Sequence, residues 1–149
     1  MKKILAIYCL VLLVSNCTED ATINADGFKE FPVNINGNWT IDRATQNGND
    51  ISEKLDFETF TLNLDYNGDQ PTTFSIPVFN IPFGTESLSG TWKFDDITYP
   101  TKLIFTGNDG NSSAINLVTV PLTSEVNNFS LEFSSGCDSN IYVYSFKKN

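Results

Sequence analysis

From Gly37 onward, apolar and polar residues trade places at nearly every step. Phe60, Leu62, Leu64 and Tyr66 alternate with Thr61, Asn63 and Asp65. This is the period of two expected of a half-buried strand. Asn67-Gly68 follows, a strong hairpin signal, and Phe74, Ile76 and Val78 resume the alternation. Leu103 with Phe105, Ile115 with Leu117, Phe129 with Leu131 and Phe133, and the run Ile141 to Phe146 complete the series. Gly107-Asn108-Asp109-Gly110 and Asn127-Asn128 read as the turns between them. With strands opening at Trp39 and Trp92, the pattern predicts an all-β domain of about eight antiparallel strands. A single helical turn is expected near Ile51 to Asp56. Such a chain suits an up-and-down β-barrel, with a β-sandwich as the alternative. An eight-stranded barrel has an interior just wide enough for side chains or for one small ligand.

The N-terminus follows a different pattern. Lys2 and Lys3 precede an apolar run from Ile4 to Val14, then Ser15-Asn16-Cys17. The run is shorter than the roughly 20 residues that span a bilayer, and it fits a secretory signal. A cysteine at its end marks a lipoprotein signal, in which Cys17 is lipidated and becomes the new N-terminus. The expected organisation is a signal peptide over 1–16, the lipidated cysteine with a polar tether over 17–36, and a β-domain over 37–149. Phe28 and Phe31 in the tether are candidates to dock on the domain.

Cleavage before Cys17 would shorten the chain from 149 to 133 residues and take its formal charge from −9 to −11. One domain of that size buries a core without staples. Its acidic surface argues against nucleic acid as a partner and against electrostatic docking on anionic lipid. Cys9 leaves with the signal and Cys17 carries lipid, so Cys137 stands alone and no internal disulfide can form. It is expected to pack as a small apolar side chain near the start of the last strand, with no neighbouring cation to lower its pKa.

The chain contains no histidine, which removes the commonest general base and metal ligand. Neither catalysis, a metal nor a cofactor is expected. Asp95 with Asp96, Asp56 with Glu58, and Asp42 are carboxylates of the type glycosidases use, but such pairs must face each other across a cleft, and solvated turns explain them as well. Asp65 to Asp69 resembles part of a calcium loop without its later glutamate; a hairpin turn accounts for the same residues. Tyr66, Tyr99, Tyr142 and Tyr144 are candidates for a sugar-stacking platform, against the plainer expectation of half-buried strand and turn residues. Gly37-Asn38-Trp39-Thr40-Ile41-Asp42 is echoed by Gly90-Thr91-Trp92-Lys93-Phe94-Asp95. The echo is read either as an internal duplication or as two strands that each begin with a glycine bend and a packing tryptophan.

Val14-Ser15-Asn16-Cys17 followed by Thr18-Glu19-Asp20 resembles a Bacteroidetes-type lipoprotein signal with an acidic surface-export element. The segments Gly37-Asn38-Trp39, Leu55 to Phe60, Gly90 to Asp96, Pro100 to Leu103, Phe133 to Cys137 and Tyr142-Val143-Tyr144 resemble an uncharacterised, lipocalin-like domain family of Bacteroidetes lipoproteins. The resemblance implies a barrel-like fold and a surface lipoprotein on the outer membrane, with no activity attached. The Gly-x-Trp motif is also similar to that of lipocalins, in which a late basic residue packs on the tryptophan; Lys147 or Lys148 would do so here. The expected function is non-catalytic binding of a small apolar ligand or a glycan. The alternative is a structural or protein-interaction module of the envelope with a filled core.

Overall fold

The computed structural model describes residues 33–78, 80–119 and 127–149. The signal segment, Cys17, Phe28 and Phe31 lie outside the described residues. The strands are β1 (Gly37–Gln46), β2 (Asn49–Asp50), β3 (Thr61–Asn67), β4 (Gln70–Ser75), β5 (Ser89–Phe94), β6 (Lys102–Gly107), β7 (Ser112–Thr119), β8 (Asn128–Ser134) and β9 (Ile141–Lys148). Eight of them form a closed, antiparallel, up-and-down barrel in the order β1-β3-β4-β5-β6-β7-β8-β9, with β9 pairing back onto β1. Closure removes every free edge among the eight. The sandwich alternative does not occur.

Alternation decides what faces in. Leu62 and Leu64 of β3, Leu103 and Phe105 of β6, Phe129 and Leu131 of β8, and Tyr144 of β9 are fully buried. In β1 the phase slips once. Ile41 pairs with Phe146 and Arg43 with Ser145, which leaves Asp42 as the unpaired residue of a bulge. The slip turns Ala44 inward beyond it, opposite Tyr144.

Strand β2 was not expected. It is a two-residue extension returning from Asn47-Gly48, at φ 50° and 78°. Positive φ at both loop positions is the type I′ signature of an Asn-Gly hairpin. The expected hairpin at Asn67-Gly68 is present, with Asn67 paired to Gln70 and Gly68 at φ 63°. The helical turn falls later than expected, as a 3-10 turn at Phe57–Thr59. Strand β4 ends at Ser75, ahead of Pro77, and Val78 is exposed rather than part of the strand.

The barrel has two distinct ends. At the base lie Val33–Asn36, the β3–β4 turn, the β5–β6 loop and the C-terminus. At the rim lie the β2–β3 and β4–β5 connections, the β6–β7 turn and the β8–β9 loop. Core contacts begin before Gly37, the expected start of the β-domain. Val33 and Ile35 belong to the core. The Trp39 indole donates to the Ile35 carbonyl at 2.9 Å, the Ile35 amide donates to the Tyr66 hydroxyl at 3.3 Å, and that hydroxyl donates to the Val33 carbonyl at 3.2 Å.

Candidate functional site

The obvious place to look for a ligand is the barrel interior, and the chain's own side chains occupy it. The β4–β5 connection does not simply cross the rim. Ile81, Phe83 and Thr85 are buried, and the Phe83 ring reaches into the middle of the barrel. It lies 5.1 Å from Phe60, 5.5 Å from Phe133, 6.1 Å from Phe105 and 6.4 Å from Phe146, centroid to centroid. These are the tilted and edge-on arrangements that aromatic rings favour. Gly84 makes the insertion possible, because a Cβ there would meet the Ile115 side chain and the Phe133 Cβ. The Tyr144 hydroxyl donates to the Pro82 carbonyl at 2.8 Å and ties the segment down. Phe57, from the β2–β3 connection, packs edge-on against Tyr144 at 5.3 Å.

The four tyrosines do not form one surface. Tyr144 is fully buried, and Tyr142 is buried and stacked on Phe133 at 5.6 Å. Tyr66 is half-buried at the base, edge-on to Trp92 at 5.3 Å, and burial pushes its phenol up to about 12. Burial likewise raises the Tyr144 phenol. Only Tyr99 is open, 69% exposed in the β5–β6 loop. Alternation turns the other three inward, so they cannot offer faces to sugar rings.

The repeated Gly-x-Trp motif is structural at both places. Trp39 is fully buried, edge-on to Phe129 at 4.6 Å, and the Lys148 ammonium sits 5.6 Å from its ring centroid. This is the late basic residue that the resemblance led one to expect. Trp92 is buried and donates to the Asp65 carbonyl at 3.3 Å. Gly90 faces the Thr106 carbonyl so closely that no Cβ would fit, whereas Gly37 has φ 133° and lies under the Lys148 side chain.

Among the described residues, two surface grooves stand out. The rim groove, of about 500 Å³, lies over Phe83 and Gly84 and is lined by Glu86, Ser87, Asp109, Asn111, Ser134 and Ser135. Its polar groups come from three connections, of which the sequence had marked only Gly107 to Gly110 as a turn. The Asn111 amide and side chain bond the Asp109 carboxylate and hold its pKa below the usual range. The second, of about 470 Å³, runs along the outer wall of β4, β5 and β6 between Pro71, Thr73, Lys93 and Ile104.

The suspected carboxylates have other tasks. Asp95 accepts hydrogen bonds from the Thr101 and Lys102 amides at 2.9 and 2.8 Å and from the Thr101 hydroxyl at 2.6 Å. Partial desolvation pushes its pKa up, but these donors outweigh it and bring the carboxyl down to about 2. Asp96 accepts from the Thr98 and Tyr99 amides, both at 2.8 Å. Asp42 pairs with Lys147 at 3.0 Å on the surface.

Cys137 departs from expectation. It is exposed rather than packed, because Gly136, at φ 83°, turns the β8–β9 loop outward. A hydrogen bond with the Ser139 hydroxyl, at 3.2 Å, lowers its pKa. Among the described residues, no three His, Cys, Asp or Glu side chains are grouped to hold a metal, and no helix is long and apolar enough to cross a membrane.

Residues 15–147 match the profile of a domain of unknown function, DUF5004, and the chain belongs to that family. No curated protein and no solved structure matches the chain.

Proposed function

We propose that this DUF5004 member is a lipid-anchored, non-catalytic module of the outer-membrane surface that acts through its exterior. Its filled barrel would serve as a rigid mount for the loops at the rim, which a protein of the envelope would contact. The single observation that carries this reading is the Phe83 ring at the centre of the barrel. A carrier of small apolar molecules needs a cavity of about 300 Å³ or more, and here that space holds Phe60, Phe83, Phe105 and Phe133. The non-catalytic part is supported by the absence of histidine from the sequence and by an Asp95 carboxylate already committed to three donors. The anchor is supported by the apolar run ending at Cys17.

A second reading is favoured by the rim groove: a polar ligand such as a glycan would meet hydroxyl, amide and carboxylate groups there. Two measurements separate these readings. Calorimetric titration with medium-chain fatty acids is expected to give no saturable heat, and saturable binding would overturn the filled-barrel reading. Titration with neutral oligosaccharides tests the groove, where binding abolished by Asn111→Ala would favour the glycan. The anchor is tested in cells: the full chain is expected in the outer-membrane fraction, and a Cys17→Ala variant that stays there would overturn it.

A further inference from the structure

We infer that the base of the barrel lies against the lipid surface, with Ile97, Tyr99 and Val118 in the interfacial layer. This deepens the anchoring reading and rests on it. The β5–β6 loop carries two large apolar residues outward, Ile97 at 45% and Tyr99 at 69% exposure. The loop cannot readily fold them away, because its backbone is braced at two points. Asp96 holds the Thr98 and Tyr99 amides, and Asp95 holds those of Thr101 and Lys102. The Leu117 amide donates to the Thr101 carbonyl at 2.8 Å, which places Val118, 52% exposed, at the same corner. Single exposed apolar residues are ordinary. The rim also exposes Leu55, Val78, Leu88 and Ile141, but at the base two of the three sit on a braced loop and form a surface prepared for contact.

The position of this corner on the molecule names its occupant. The chain joins the barrel at Val33, at this same end, sixteen residues after Cys17. A tether of that length reaches at most about 60 Å, enough to hold the barrel near a bilayer but not to orient it. Tyrosine is favoured where head groups meet acyl chains, with its ring in the apolar layer and its hydroxyl among the head groups. Charge selects the same orientation. The rim gathers Glu53, Asp56, Glu58, Glu86, Asp109 and Asp138 against Lys54, hydrated groups that are costly to bring to a lipid surface. Among the described residues, the base carries Asp69, Asp95 and Asp96 against Lys102 and Lys148, and the Asp95 and Asp96 carboxylates are already turned onto backbone amides. The contact is apolar and interfacial, so the overall negative charge does not oppose it on neutral lipid.

Tryptophan fluorescence of the full chain, purified from cells and reconstituted into phosphatidylcholine vesicles with brominated acyl chains, tests the inference. Trp39 and Trp92 are buried and supply a constant background. A Tyr99→Trp variant is expected to show added emission that shifts to the blue and is quenched by the brominated lipid. An Ile141→Trp variant, at the rim, is expected to show neither change. Equal behaviour of the two variants, with a lipid adduct on Cys17 confirmed by mass, would overturn the docking and leave the anchor standing. Absence of the adduct would overturn both. Blue, unquenched emission from Tyr99→Trp before vesicles are added would mean that another protein segment or a second copy covers the corner, and would also overturn the inference.

Discussion

The base and the rim close the same barrel by opposite means. At the base, a short stretch of chain, Val33–Asn36, is held by polar groups: the Trp39 indole and the Tyr66 hydroxyl clasp its backbone through three hydrogen bonds. At the rim, a long connection pushes an aromatic ring into the interior, and hydrogen bonds from Tyr144 to Pro82 and from Asn80 to Thr59 tie it down from outside. One end is sealed by direction and the other by volume. Damage should therefore show differently at the two ends. Loss of bulk should matter most at the rim, and loss of a donor most at the base.

The largest effect is expected for Phe83→Ala. Removing a buried phenylalanine costs about 3–5 kcal/mol when the site cannot collapse, and rings from three strands and Phe60 fix the walls here. Urea denaturation would show the loss as a lower midpoint. The variant should also gain binding of a small apolar molecule, since a dry apolar cavity of this kind accepts a benzene-sized guest. A variant that loses stability without binding such a probe would mean that the β4–β5 connection collapses inward, and the rim would no longer count as sealed by volume.

Tyr66→Phe is expected to cost about 1–3 kcal/mol, because it strands the buried Ile35 amide and removes a donor to Val33. Alkaline pH acts at both ends, because burial raises the Tyr66 and the Tyr144 phenols alike. Burial raises the Tyr66 phenol to about 12, so the folded state favours its neutral form. That contribution is complete below the ordinary value of about 10 and is lost as the pH climbs through 12. Alkaline titration of stability should therefore be shallower in Tyr66→Phe than in the native chain. Tyr144→Phe gives a smaller change at neutral pH, about 1 kcal/mol for one hydrogen bond. If Tyr144→Phe proved as costly as Tyr66→Phe at neutral pH, the distinction between a clasped base and a filled rim would weaken.

Much of the barrel was legible in the order of residues. Strands β3, β6 and β8 alternate so cleanly that their inward faces could be read off directly. Strand β9 was harder, because Ile141, Tyr142, Val143 and Tyr144 are apolar in both phases. Ser145 and Lys147 marked the outward phase and would have turned Tyr142 and Tyr144 inward. Strand β2 went unread, although Asn47-Gly48 carries the same signal as Asn67-Gly68. The rim plug was not legible. Ile76 to Phe83 is apolar but holds Pro77 and Pro82 and keeps no period, so its path depends on the space that eight strands leave after closure. The rim groove was equally hidden, because its polar groups come from three connections far apart in sequence.

The smallest effect concerns a feature that the two ends share. Each end carries an aspartate clamped onto its own loop. At the rim, Asp50 bonds the Ser52 amide and hydroxyl and Arg43, which hold its carboxyl near about 2. At the base, Asp95 reaches about 2 through Thr101 and Lys102 against the pull of desolvation. Both values lie below the ordinary carboxylate range, so each clamp stabilises the fold above about pH 4 and fades as the pH falls towards 2. The groups are solvent-exposed, and Asp95→Ala should cost less than about 1 kcal/mol at neutral pH. Its penalty should vanish near pH 2, where the native carboxyl is losing its charge. A penalty of the same size at both pH values would mean that Asp95 acts by filling space, and the β5–β6 loop would then keep its shape without a charged clamp. A penalty confined to neutral pH ties the outward pose of Ile97 and Tyr99 to a carboxylate, and acid should then loosen the base before it reaches the Phe83 plug.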